Sequence, residues 1–84
     1  MKYEIVVKPK AKKQLLELPK KARDKVRQGI TALGDDPRPT GCKKLAGQDA
    51  YRIRVGDYRV IYEIEDKKLL VTVIKVGHRS DIYD

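Results

Sequence analysis

The sequence predicts an α+β domain in which an N-terminal helical hairpin packs on one face of a small, mainly antiparallel four-stranded sheet. Three observations carry that expectation. Apolar residues recur at helical spacing between Pro9 and Leu33. From Tyr51 to Tyr62 they alternate with period two on both sides of Gly56-Asp57. From Leu69 to Val76 nearly every position is apolar, as in an interior strand covered on both faces. Eighty-four residues hold one modest core, so residues 1–84 read as a single domain.

Taken in order, Tyr3-Glu4-Ile5-Val6-Val7 is a short strand with Tyr3, Ile5 and Val7 on one face. Pro9 suits the first turn of a helix, and Ala11, Leu15 and Leu18 follow at i, i+4 and i+7. Pro19 interrupts that helix. A second runs from about Lys20 to Leu33, with Ala22, Val26, Ile30 and Leu33 as its inner stripe and Gly34 as its C-cap. Residues 34–50 are rich in turn formers and form a long connector, on which Leu45 is expected to plug the core. Arg38, Lys43 and Lys44 on it are within the range of residues that touch a phosphate backbone.

The hairpin that follows has the most informative pattern. With Gly56 and Asp57 as the loop, Val55 pairs with Tyr58, Ile53 with Val60 and Tyr51 with Tyr62, making one apolar face. The opposite face then carries Arg52 beside Ile61 and Arg54 directly across from Arg59. Like charges in that position oppose pairing, whereas a favourable pair contributes roughly 0.2–1 kcal/mol. Two guanidiniums held side by side imply that an anion belongs between them. After a polar turn, Glu65-Asp66-Lys67-Lys68, the last strand is expected to place Thr72 beside Ile61 and Ile74 beside Arg59. Ile61, Leu70 and Ile74 then form an uncovered apolar patch around the arginines.

Charge narrows the partners. The net charge is +8, and residues 1–33 supply most of it, with ten Lys/Arg against three Asp/Glu. The basic outer side of the helices acts as a steering field for a polyanion such as nucleic acid. The single cysteine, Cys42, makes no internal disulfide, which fits a cytoplasmic location. One His and one Cys do not make a zinc site, and no segment has the length and apolarity to span a membrane. Neither metal nor other cofactor is expected.

The order strand, two helices, Pro-containing loop, Lys-Lys-Leu-Ala-Gly, the arginine hairpin and Val-Gly-His-Arg-Ser-Asp-Ile-Tyr resembles the RelE/ParE toxin superfamily over essentially the whole chain. That resemblance implies the toxin half of a type II toxin–antitoxin pair, with a cognate antitoxin as partner. RelE-type members are metal-independent endoribonucleases that cut messenger RNA in the ribosomal decoding site. Carried over by motif, the active residues are Arg52 and Arg54, then Arg59, Arg79 in Gly-His-Arg, and Tyr83 in Asp-Ile-Tyr. The family's best-known pattern has lysines at the first two positions, and arginine does not accept a proton at neutral pH. Tyr83 and His78 therefore remain the two candidates for proton transfer. A ParE-type gyrase poison without nuclease chemistry is the alternative activity, and RNA contact without catalysis a third.

Overall fold

In the computed structural model, which describes residues 2–47 and 49–78, the chain opens with β1 (Glu4–Val7), α1 (Pro9–Leu16) and α2 (Lys20–Ala32). It continues through β2 (Lys43–Lys44), β3 (Tyr51–Val55), β4 (Tyr58–Glu65), a 3-10 turn (Asp66–Lys68) and β5 (Leu70–His78). The strands form one sheet in the order β1-β5-β4-β3-β2, with β1 parallel to β5 and the other pairs antiparallel. The α+β expectation holds, with one strand more than the four expected. The addition is β2, two exposed lysines paired with Arg52 and Tyr51 at the sheet's edge. Two residues among turn formers carry no alternation, so nothing in the sequence marks them as a strand.

Helix α1 begins at Pro9, where a missing N–H costs nothing, and buries Ala11 and Leu15. Pro19 stands just before α2, which buries Val26 and Ile30. Together with Leu33, these residues meet Ile53, Val60, Tyr62, Val71, Val73 and Val76 in the main core. A fully buried valine in such a core contributes roughly 1.5–3 kcal/mol. The role expected of Gly34 needs correction. Leu33 is the C-cap of α2, and Gly34 does not have a positive φ. Its carbonyl instead accepts the Tyr3 N–H at 2.7 Å, and a Cβ on Gly34 would lie 3.1 Å from the Tyr3 oxygen. The glycine serves a close backbone approach between β1 and the end of α2.

Hairpin β3–β4 has the expected register, including Arg54 opposite Arg59 and Arg52 opposite Ile61. Gly56 takes φ +59 at the first loop position, and Asp57 does not have a positive φ. That combination is the type II′ turn, whose twist matches the strands on either side.

Strand β5 departs from expectation. The loop between Glu65 and Leu70 comprises residues 66–69, one place later than the expected turn at residues 65–68, and Leu69 within it adopts the left-handed region at φ 49°. Thr72 therefore pairs with Glu63 rather than lying beside Ile61. A bulge then intervenes: Tyr62 pairs with Val73, but Ile61 pairs with Lys75, so Ile74 has no direct partner on β4. Beyond the bulge Arg59 pairs with Gly77, not with a position beside Ile74, and Tyr58 pairs with His78. One extra residue reverses which face each later side chain takes.

Nor is the far face a bare apolar patch. The connector rounds the edge of the sheet, held on the helix side by the Tyr62 hydroxyl donating to the Pro37 carbonyl at 2.8 Å. It then lays Leu45 and Ala50 against Ile61 and Ile74, forming a second, smaller core. Leu45 does plug a core, but this one rather than the main one.

Candidate functional site

Two adjacent rungs of the sheet gather the cations. Lys43, Arg52 and Ile61 are successive cross-strand partners on one rung, and Arg54, Arg59 and Gly77 on the next residue pair of that face. The face lies opposite the helices, because its neighbours Ile53, Val55, Tyr58 and Val60 point into the main core. Four cationic residues thus sit on a rigid scaffold, fixed by register rather than by loop conformation.

The arginines are not equivalent. Arg54 is exposed and Arg59 half-buried, whereas Arg52 is only 2 % exposed. Arg52 is the cross-strand partner of Ile61, a member of the Leu45–Ala50–Ile61 cluster, and is closed off from solvent. Lys43 reads from the sequence as a phosphate-backbone contact and is not among the active residues carried over by motif. It is exposed beside Arg52, and the signal for it is slight: a basic dipeptide in a connector becomes part of a site only through edge pairing.

His78 stands on the other side. Its strand partner is Tyr58, and the two rings meet edge-on at 5.6 Å and 84°. Because Tyr58 faces the helices, the sheet separates the His78 ring from the Arg54–Arg59 face. The bulge at Ile74 is the cause, since uninterrupted alternation would have put His78 with the arginines. Arg79 and Tyr83, the remaining expected site residues, lie outside the described residues. The structure therefore brings together Arg52, Arg54 and Arg59 and sets His78 apart.

A family model described as the ParE toxin of type II toxin–antitoxin systems matches residues 5–83. The chain belongs to the RelE/ParE superfamily of type II toxins. It is 29% identical over 87 residues to the mRNA interferase toxin RelE of Escherichia coli, with 99% of this chain and 92% of that one covered. It superposes on the archaeal RelE–RelB complex from Pyrococcus horikoshii with a TM-score of 0.85 and 31% identity, covering 98% of this chain and 100% of that one. For the intact Escherichia coli RelBE complex the TM-score is 0.79 at 29% identity, covering 90% and 95%.

In this toxin the start of the connector is clasped at the end of the sheet far from the Arg54–Arg59 pair. Arg38 makes two bonds to Asp66, at 3.1 and 2.9 Å, and lies 5.2 Å from the Tyr51 ring centre. Tyr3 donates its hydroxyl to the same carboxylate at 2.6 Å. Hydrogen bonding from Arg38, then from Tyr3, lowers the Asp66 pKa from 3.8 to about 2. The same bond raises the Tyr3 pKa. Arg38 thus ties the connector to the 3-10 turn in a surface clasp. Burial, then the neighbouring Cys42, pushes the Tyr62 phenol well above its ordinary range, which suits a neutral hydroxyl that donates to Pro37. Among the described residues no group of His, Cys, Asp and Glu has the arrangement to hold a metal ion. No helix among them is long and apolar enough to cross a membrane.

Proposed function

We propose that this toxin is a metal-independent endoribonuclease that cleaves messenger RNA in the ribosomal decoding site and is neutralised by a cognate antitoxin. The direct pairing of Arg54 with Arg59 carries this reading. A protein that holds two guanidiniums side by side, against their repulsion, is built to receive an anion between them. The relatives' names support the same activity, and the RelE–RelB complexes support an antitoxin partner.

In the proposed reaction a ribose 2′-OH attacks the adjacent phosphorus, the bond to the 5′ oxygen breaks, and a pentacovalent species with added negative charge lies between. Arg54, Arg59 and Arg79 stabilise that charge, each guanidinium able to grip two oxygens at once. Arg52 and the exposed Lys43 add to the field beneath and beside them. The 2′-OH proton passes to Tyr83 as its phenolate, because arginines do not accept protons and His78 lies across the sheet. The departing 5′ oxygen takes a proton from water, and a 2′,3′-cyclic phosphate remains.

Gyrase inhibition without nuclease chemistry is the second reading, favoured by the ParE description of the matching family model. Inducing the toxin in cells and mapping messenger 5′ ends separates the two. New ends in phase with codons support the nuclease. Intact messages accompanied by broken or over-supercoiled DNA would replace it with the gyrase reading.

A further inference from the structure

Directly behind the arginine pair, on the helix side of the same strand ends, lies a cavity of about 440 Å³. Its lining includes Tyr58 and His78 from the sheet and Lys10, Gln14 and Glu17 around them. Nothing in the proposed chemistry uses it. Its position is what links it to the site. Tyr58 precedes Arg59 on β4 and His78 follows Gly77 on β5, so site and cavity occupy successive rungs on opposite faces. The hairpin loop begins just beyond, at Asp57. A residue of strand spans about 3.4 Å, so a chain held on Arg54 and Arg59 has only the short tip of the sheet to cross.

The lining has the chemistry of a nucleotide subsite. Tyr58 and His78 present two π-systems locked edge-on, at 5.6 Å and 84°. Such rings are platforms for an unstacked base, and stacking on them tolerates any base because every base has a π-face. Gln14 is oriented by its own bond: its Oε1 accepts the Val76 N–H at 2.9 Å, which leaves the Nε2 amide as a donor for a base edge. Lys10 supplies an ammonium to the lining beside the carboxylate of Glu17, whereas Lys75, the partner of Ile61, directs its side chain to the arginine face. A volume of this size lies within the range of small-ligand sites and accommodates one nucleotide.

We infer that this cavity is a subsite for one unstacked nucleotide of the RNA strand, its base on the Tyr58–His78 pair and its phosphate on Lys10. The inference rests on the RNA-cleaving reading for its biological meaning, and its test is arranged so that the two fail separately. The first measurement needs no catalysis. Uridine, cytidine, adenosine and guanosine monophosphates are titrated into the isotopically labelled toxin, with inorganic phosphate as the parallel probe. The expected result is that nucleotides shift the signals of Gln14, Val76 and His78, while phosphate alone shifts only the region of Lys10. Equal effects of phosphate and nucleotides would reduce the cavity to a simple anion site, and absence of shifts from either would overturn the inference.

The second measurement uses translated messenger. Tyr58→Leu should raise KM about tenfold or more through lost stacking, with a smaller effect on kcat. Tyr58→Phe, which keeps the ring, should restore KM. Lys10→Glu, on an exposed helix position, tests the phosphate contact without disturbing the core, and should raise KM and its salt sensitivity. Wild-type KM in both Tyr58→Leu and Lys10→Glu would overturn the subsite. A toxin that binds nucleotides here but cuts no messenger would instead refute the nuclease reading while leaving the subsite standing.

Discussion

Arg54 and Arg59 are direct cross-strand partners, one exposed and one half-buried, on the face of the sheet that the helices leave open. Their juxtaposition opposes hairpin formation, so stability and proposed activity should pull in opposite directions at this pair. Arg54→Glu replaces a repulsive pair by an attractive one and should stabilise the fold by up to about 1 kcal/mol. The same change should abolish messenger cleavage, and Arg54→Ala should lower it by about 10²-fold or more, the scale of losing one charge-stabilising donor. Thermal melting and single-turnover cleavage, measured on the same samples, check both halves. Retained cleavage in a folded Arg54→Glu would remove the pair from the site.

Gly29 supports the hairpin from behind. It sits within α2, where glycine costs about 1 kcal/mol relative to alanine. A Cβ there would stand 2.8 Å from Val55 Cγ2 and 3.7 Å from Ile53 Cδ1. The contact decides the sign: Gly29→Ala should destabilise the fold despite its better helix propensity, since overpacking a core costs about 1–3 kcal/mol. Adding Val55→Ala makes room, so the double variant should be less destabilised than the sum of the two single variants. A denaturant-unfolding double-mutant cycle measures that coupling.

Gln14 compensates for a strand that outruns its neighbour. Strand β1 pairs with β5 only as far as Val73, and the Val76 N–H further along is met by the Gln14 side chain. Gln14→Leu keeps the bulk and leaves that N–H without its acceptor. It should cost about 1–3 kcal/mol, the desolvation penalty of an orphaned donor. Faster hydrogen exchange at Val76, with little change at Val71, would localise the effect.

The Asp66 clasp gives the fold an acid-sensitive component. Its folded-state pKa of about 2 lies below the ordinary 3.8, so ionised Asp66 favours the folded chain. That contribution is complete above about pH 4 and is lost as the pH falls to about 2. Asp66→Asn should therefore flatten the stability profile across this window. Tyr3 behaves in the opposite sense: its raised pKa makes the neutral phenol the stabilising form, present below pH 10 and lost as alkali ionises it. Melting temperatures of wild type and Asp66→Asn between pH 2 and 6 check the acid limb.

The sequence by itself determined the helices, the main core and the register of the arginine hairpin. In that hairpin every second residue is apolar and Gly56 supplies the one positive φ its loop needs, so a slip by one residue would expose the whole apolar face. No comparable information exists in Leu70–Val76. Its residues are apolar on both faces, so alternation is absent, and a bulge at Ile74 leaves no trace in the pattern. That bulge, with the position of the preceding loop, decided which residues stand beside Arg59 and on which side His78 lies. Likewise Leu45 and Ala50 could cover Ile61 and Ile74 only once the connector had rounded the sheet's edge. Local period fixes register where the two faces differ in polarity; where they do not, packing against the rest of the fold fixes it instead.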